Sequence, residues 1–255
     1  MTLQVVEGEA GSVVIPAGVE GYHGVAFGGY VAGLLAVRAA GADEAAAGVG
    51  VDFRGIVKPG VPVPLRADGA SAALTDDDGA VLVAAAPRPV QVEAPAAPGI
   101  EEARSASGRY LVERRGVIAD YTECFGCGPD LPPERGIRVF PARVPGRELI
   151  AAAWTPHPSM GGEDGALPPE LVWSALDCPA GWAVRVLGAA DDMSVTAALD
   201  AAVLAPVRAG VEHVVYSWSI DGAGRKHRGG SAIATADGEV CVVSESLWID
   251  PRQPV

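Results

Sequence analysis

The stretch GYHGVAFGGYVAGLLAVRAAG, residues 21–41, decides the fold, because it joins a glycine-rich opening to a helix without a polar face. Between Tyr22 and Val37 the only side chain that can become charged near neutral pH is His23. A helix that is apolar on every side has to be buried on every side. We therefore expect a helix from Gly28 to Ala40, enclosed by a sheet that curls around it.

The second half of the chain repeats this pattern. In each half a helix-like segment is followed by valine-rich strand segments, and Asp-Gly pairs, which are typical of hairpin turns, separate the last two apolar runs. The segments of the first half are 28–40, 48–74 and 75–90, and those of the second are 168–188, 193–220 and 234–250. The sequence thus predicts a duplicated α+β unit of one helix and mostly antiparallel strands.

Two segments lie between the repeats. Residues 86–107 are rich in proline, alanine and charge without periodicity, which indicates a linker or an ordered crossover. Residues 136–144 and 148–157 flank a turn at Pro145-Gly146-Arg147 and predict a further strand pair. The predicted organisation is an N-terminal unit over 1–100, a linker or crossover over 101–120 and a C-terminal unit over 121–255.

Composition excludes some functions. The chain has 255 residues, 49% of them hydrophobic, which is enough for a sizeable core. Its net charge of −13 argues against nucleic acid as a partner, since phosphates need a basic surface. The N-terminal residues do not resemble a signal peptide, and the longest apolar run is shorter than the roughly 20 residues that span a membrane. With only four cysteines, we expect reduced thiols and a cytoplasmic location, without a membrane partner. Sheet edges favour a homo-oligomer.

Three motifs carry a family resemblance. FGGYVAGLLAV, residues 27–37, resembles the first helix of double-hotdog acyl-CoA thioesterases. CFGCGPDLPPERGIRVF, residues 124–140, resembles a motif of single-domain hotdog thioesterases, and LVWSALDCPAGWA, residues 171–183, resembles the helix that follows it. The resemblance covers residues 15–95 and 120–250. It implies two tandem hotdog units, each a curled antiparallel sheet wrapped around a central helix, that hydrolyse an acyl-CoA or related thioester. It implies no cofactor beyond the coenzyme A of the substrate.

The resemblance also implies a site between the two units. In that superfamily one helix N-terminus presents an N–H group to the thioester carbonyl, and the partner helix supplies an Asp or Glu. Counting seven residues from Gly29 reaches Ala36, whereas counting seven from Glu170 reaches Asp177. We therefore expect one composite site, in which Gly28 and Gly29 polarise the carbonyl and Asp177 acts as base or nucleophile. The symmetric second site lacks an acid.

Two further residues are candidates at this site. Ser174 stands one turn before Asp177 and could orient the carboxylate or a water, and His23 precedes Gly28 and could line the same pocket. Simpler explanations remain open. Pro179 ends or kinks the helix, so Asp177 could serve that irregularity, and the glycines could serve close packing alone.

Basic residues for the coenzyme A phosphates are few in this acidic chain. Residues 225–228, Arg-Lys-His-Arg, form its densest basic cluster, at the start of a predicted strand. Arg225 and Lys226 are the leading candidates, because arginine and lysine suit phosphate groups. Arg54 and Lys58, in the corresponding strand of the first half, are further candidates. An ordinary solvated strand end is the alternative.

The Cys124-Phe-Gly-Cys127 pair resembles zinc and redox motifs in its spacing. Zinc usually requires four ligands, and Cys178 and Cys241 are isolated in the sequence, so we expect no metal site. A redox pair is expected in a βαβ context, which the sequence lacks. A structural role in a turn is the remaining interpretation.

Two other functions stay open. One is a non-catalytic acyl-CoA binding or sensor protein, because His23 is separated from Gly28 by four residues and departs from the His-Gly-Gly pattern of the family. The other is a hotdog dehydratase, which normally pairs an Asp with a His in a short motif that we do not find here.

Overall fold

The computed structural model describes residues 6–7, 11–40, 47–113 and 122–252. Within these ranges the protein is α+β, as predicted, with a twelve-stranded antiparallel sheet and three α-helices. The helices are α1 (Gly28–Ala39), α2 (Ile100–Glu113) and α3 (Pro169–Val186), with a 3₁₀ turn at Pro158–Met160. The strands are β1 (Val6–Glu7), β2 (Ser12–Val14), β3 (Val49–Phe53), β4 (Pro62–Ala67), β5 (Ala72–Thr75), β6 (Val81–Pro87), β7 (Ala142–Arg143), β8 (Ile150–Trp154), β9 (Val195–Val203), β10 (His213–Ala223), β11 (Lys226–Thr235) and β12 (Val240–Ile249).

The order of the strands divides the sheet at one junction. It runs β1-β2-β4-β5-β6-β3-β9-β12-β11-β10-β8-β7, so the six strands of the first half lie on one side and those of the second half on the other. Strands β3 and β9 join the halves, with Val49 opposite Ala201 and Asp52 opposite Ala198. Hydrogen bonding is therefore continuous from one half of the sequence to the other.

An arginine bridges this junction. Arg88 Nη2 donates to Asp52 Oδ2 at 2.6 Å and Nη1 donates to Asp200 Oδ1 at 2.9 Å, which connects β3 with β9 through a side chain that follows β6. The guanidinium lies directly over β3, because a Cβ at Gly50 would stand 2.4 Å from Arg88 Nε. The halves are thus held by backbone pairing and by a shared ion pair.

Helices α1 and α3 pack against each other in antiparallel directions. A Cβ at Gly29 would lie 2.7 Å from the Trp173 carbonyl oxygen, and one at Gly33 would lie 2.4 Å from the Pro169 carbonyl oxygen. Only glycine lets the two backbones approach this closely. Most of α1 is buried, as its apolar sequence predicts.

Helix α3 begins at Pro169, where proline suits the first turn of a helix. It continues through Pro179 to Val186, so the alternative that it ends at this proline is wrong. Pro179 still leaves the Ala175 carbonyl without its usual N–H partner. Packing of α3 against α1 and against strands β8 to β12 supports the helix on both sides of the proline.

The segment between the halves contains a helix that its sequence did not predict. Helix α2 packs against β8, and its buried residues are Ala103, Ala106 and Tyr110. Ser107 Oγ accepts a hydrogen bond from the Ala153 N–H at 3.1 Å. Of the two alternatives for this segment, a linker or an ordered crossover, the structure therefore contains an ordered crossover. The unit boundaries 1–100, 101–120 and 121–255 stay a prediction.

The predicted strand pair before α3 is shorter than expected. Only Ala142–Arg143 of the first segment joins β8, and residues 136–141 are not a strand. Their backbone binds elsewhere, since the Ile137 N–H donates to Phe125 O at 2.8 Å and the Val139 N–H donates to Gly126 O at 3.0 Å. The segment thus pairs with the Cys124–Cys127 turn in place of the sheet.

Candidate active site

Asp177 is a buried carboxylate at the contact between α1 and α3. Its Oδ2 accepts a hydrogen bond from the Gly29 N–H at 2.8 Å, and its Oδ1 accepts one from Thr196 Oγ1 at 2.7 Å. The residue is only 3% exposed. Asp177 thus meets Gly29, as the family resemblance implied, with Thr196 of β9 as an additional partner.

The surroundings of Asp177 shift the pKa of its carboxyl group. Burial raises the pKa of this carboxyl above its ordinary value, because a carboxylate loses hydration in a protein interior. The hydrogen bonds from Thr196 and Gly29 and the positive charge of Arg185 act in the opposite direction. The result is a carboxylate that is held in one orientation and is more basic than one in water.

A cavity of about 620 Å³ borders this carboxylate. Asp177, Gly28 and Thr196 form part of its wall, and most of the remaining wall is apolar. The apolar wall includes Val25, Phe27, Val31, Phe53, Met193 and Trp248. Its volume lies in the range of small-molecule sites, and a mostly apolar wall with a few polar groups is typical of them.

The two glycines that open α1 have different positions. Gly29 is buried in the helix contact, and its N–H donates to Asp177. This differs from the prediction, in which the Gly29 N–H faces the substrate carbonyl. Gly28 lines the cavity, and a Cβ there would stand 2.9 Å from Asp177 Oδ2. The absence of a side chain at Gly28 therefore keeps the carboxylate accessible from the cavity.

Ser174 and His23, two predicted site residues, are not among the residues that line the cavity. Ser174 Oγ donates to the Glu170 carbonyl oxygen at 2.6 Å, within its own helix, so it does not orient the carboxylate. The His23 side chain is fully exposed and lies 4.0 Å from Glu20 Oε2, outside the residues that line the cavity. Both positions differ from the prediction because the loop and the helix turn these side chains away.

Thr196 and Arg185 belong to the site but were missed from the sequence. Arg185 stands eight residues after Asp177 on α3, lines the cavity, and donates from Nη2 to the Ser194 carbonyl oxygen at 2.7 Å. Its spacing places it on the same helix face as Asp177, a signal that could have identified it. Thr196 reaches Asp177 through the pairing of β9, which the sequence does not specify.

Of the four predicted phosphate-binding residues, Arg54 is the one that lines the cavity. Arg54 lines it, whereas Lys58 is exposed and is not among the lining residues. Both follow the end of β3 at Phe53, so the prediction that they lie in a strand is wrong. Lys226 is the sheet partner of Ile249, which lines the cavity, and Arg225 donates from Nε to the Asp250 carbonyl oxygen at 2.8 Å.

Three cysteines meet beside Asp177. Cys178 is isolated in the sequence, but its Sγ lies 3.6 Å from Cys124 Sγ in the structure, and Cys127 completes the group. Hydrogen bonds with the Cys124 and Cys178 thiols hold the pKa of Cys127 well below its ordinary value. Cys241 belongs to β12, outside this group.

Comparison with known proteins identifies the fold. No protein-family model matches the sequence, and neither does any curated protein sequence. A TesB protein of Mycobacterium avium subsp. paratuberculosis has a TM-score of 0.58 at 16% identity, over 98% of this chain and 97% of that one. The acyl-CoA thioesterase II TesB2 of Mycobacterium marinum has a TM-score of 0.55 at 15% identity, over 99% of this chain and 98% of that one.

The chain shares the fold of these TesB-type proteins. The likeness extends over nearly the whole length of both, so it includes the two halves of the sheet and all three described helices. Among the helices of the described ranges, none combines the length and the hydrophobicity that a membrane span requires.

Proposed function

We propose that the chain hydrolyses an acyl thioester, with coenzyme A as the thiol, in the cavity beside Asp177. The observation that carries this proposal is the buried Asp177 carboxylate, held by Gly29 and Thr196 at the wall of a mostly apolar cavity. The fold likeness supports it, because the Mycobacterium marinum neighbour is named an acyl-CoA thioesterase II.

We infer that each half of the sheet with its helix is one hotdog unit. Helix α1 packs against β3, β5 and β6 of the first half, and α3 packs against β8 to β12 of the second. The site is then composite, because α1 supplies Gly28 and Gly29 while α3 and β9 supply Asp177 and Thr196. The units correspond to residues 1–100 and 121–255, with α2 in the crossover.

Asp177 acts as a general base on a water molecule. Each carboxylate oxygen accepts one protein hydrogen bond and keeps a further lone pair, so a water in the cavity can donate to Oδ2. The water oxygen bonds to the carbonyl carbon as its proton passes to Asp177. The C–S bond then breaks, and the proton returns from Asp177 to the leaving thiolate. Base catalysis is favoured over direct attack, because both oxygens already accept hydrogen bonds.

The backbone N–H of Gly28 is the donor for the oxyanion. It belongs to the first turn of α1, where helical N–H groups lack intrahelical partners, and Gly28 lines the cavity next to Asp177 Oδ2. This assignment replaces Gly29, whose N–H positions the base. The partial positive charge of the helix N-terminus further stabilises the negative charge on the oxyanion.

Arginine and lysine side chains near the cavity bind the phosphates of coenzyme A. Arg54 lines the cavity from the first half, and Arg225 and Lys226 flank it from the second half, next to Ile249. The apolar wall is left for the acyl group. Cations at the rim and an apolar interior match a substrate that has a charged nucleotide at one end and a hydrocarbon at the other.

A panel of aliphatic and aromatic acyl-CoAs, followed by release of free thiol, tests this function. The proposal expects catalytic turnover of at least one member of the panel. Tight binding of acyl-CoA without turnover would instead support the sensor alternative. The dehydratase alternative has less support, since the described residues that line the cavity include no histidine.

A further inference from the structure

Cys124, Cys127 and Cys178 form a compact cluster of free thiols. Their three Sγ atoms all lie within 4.8 Å of one another, and Cys124 and Cys178 are 3.6 Å apart. Cys124 and Cys127 are buried, and Cys178 is half-buried. The cluster is produced by tertiary packing, because α3 brings Cys178 to a turn more than 50 residues away in the chain.

The turn that carries two of these cysteines is fixed by its glycines. The Gly128 N–H donates to the Cys124 carbonyl oxygen at 2.7 Å, and a Cβ at Gly128 would stand 2.5 Å from the Cys124 nitrogen. A Cβ at Gly126 would stand 2.8 Å from Cys178 Sγ. Residues 126 and 128 therefore leave space for three sulfur atoms in one place.

We propose that Cys124, Cys127 and Cys178 bind a soft metal ion through three thiolates, and that Zn²⁺ is the ion they take. Four ligands at Zn–S distances of about 2.3 Å in a tetrahedron are separated by about 3.8 Å, close to the separation of Cys124 and Cys178. A disulfide would use only two of the three thiols. The Trp182 Nε1–H donates to Cys127 Sγ at 3.5 Å, the kind of outer hydrogen bond that orients a metal-bound thiolate.

The fourth position of the ion is left to a ligand from the cavity. Among the described residues no other cysteine, histidine or carboxylate joins the group of three. Three protein ligands with one exchangeable ligand are typical of catalytic zinc sites, whereas structural zinc sites have four protein ligands. Cys124 and Cys178 both line the cavity beside Asp177, so a water molecule can reach the ion from there. The proposal does not depend on thioester hydrolysis.

Cobalt titration of the full-length, reduced and metal-free protein tests this site. Co²⁺ bound by thiolates gives a sulfur-to-cobalt charge-transfer absorption, which we expect to saturate at one ion per chain and to disappear when Zn²⁺ is added. Cys127→Ser should weaken Co²⁺ binding by at least about 100-fold. The matched control is Cys241→Ser, a buried cysteine outside the cluster, which should leave the titration unchanged.

X-ray absorption of the zinc-loaded wild-type protein provides a second readout that needs no variant. Three sulfur neighbours at about 2.3 Å are expected around the zinc. The proposal is overturned if the reduced wild-type protein gives no charge-transfer absorption, or if Cys127→Ser binds Co²⁺ as tightly as the wild type. A zinc spectrum without sulfur neighbours also overturns it.

Discussion

The Gly29 backbone nitrogen donates a hydrogen bond to Asp177 Oδ2 at 2.8 Å, although the two residues are 148 positions apart in the sequence. This hydrogen bond exists because α1 and α3 are in backbone contact, with no side chain at Gly29 to hold them apart. The position of the proposed base therefore depends on the packing of two helices from different halves of the chain. Substitutions at the helix contact should therefore change stability, whereas substitutions at the carboxylate should change activity.

Gly33→Ala should destabilise the protein. The added Cβ would stand 2.4 Å from the Pro169 carbonyl oxygen, which belongs to the backbone and cannot rotate away. Overpacking of this kind costs about 1–3 kcal/mol of unfolding free energy, measured by urea denaturation. Gly108→Ala in α2 is the matched control, because its Cβ would meet nothing within 4 Å. The control should stabilise by up to about 1 kcal/mol, and equal effects of the two changes would contradict the close helix contact.

Thr196→Val should lower kcat for acyl-CoA hydrolysis and leave KM nearly unchanged. Valine has a similar shape but cannot donate to Asp177 Oδ1. A hydrogen bond to a charged group contributes roughly 1.5–3 kcal/mol, so the expected loss is about 10-fold to 100-fold. Thr196→Ser keeps the hydroxyl and should retain most of the activity. Serine and valine variants of equal activity would show that the hydroxyl does not matter.

Arg88→Gln should weaken the junction of the two halves. Two carboxylates, Asp52 on β3 and Asp200 on β9, lose their shared cation. Because the ion pair is partly exposed, the expected loss is about 1 kcal/mol of unfolding free energy, and it should shrink as salt is added. Arg104→Gln, which breaks two more exposed ion pairs, with Glu101 on α2 and with Glu212 before β10, should cost less. A larger loss for Arg104→Gln would contradict the role of Arg88.

Reversing the charges of Arg225 and Lys226 to glutamate should raise KM for an acyl-CoA by about 10-fold, the equivalent of one lost charge-assisted hydrogen bond. The corresponding acyl-pantetheine thioester lacks the nucleotide phosphates, so its KM should change little. Arg66→Glu, an exposed position on β4 that does not line the cavity, is the matched control. An equal rise in KM for both substrates would exclude phosphate binding by this pair.

The regular elements were largely predictable from the sequence. The apolar run after Phe27 predicted α1 to within one residue of its observed end, and Pro169 marked the start of α3. Both depend on local patterns, namely apolar residues on every side of a helix and proline in a first turn. Helix α2 was missed, because Ser105, Ser107 and Gly108 disfavour a helix locally and its support comes from β8.

The composite site was predictable only in part. Counting along the two helices showed that only the second has an acid, Asp177, and the family resemblance implied that this acid lies near Gly29; the structure places the two together. Thr196 and Cys178 were not predictable, because their partners depend on strand register and on how α3 packs against a distant turn. The Gly29 N–H was expected to donate to the substrate, but it donates to Asp177. The sequence could not predict this, because it does not show how closely α1 and α3 pack.

The rate of thiol release by Asp177→Asn tests the proposed activity most directly. Asparagine keeps the size of the side chain and an oxygen that can accept from Gly29 or Thr196, so the fold and acyl-CoA binding should persist. It cannot take a proton from water, and kcat should fall by at least about 100-fold. Asp200→Asn, at the sheet junction and outside the cavity, should keep wild-type turnover. Hydrolysis by Asp177→Asn at the wild-type rate would contradict the assignment of Asp177 as the base.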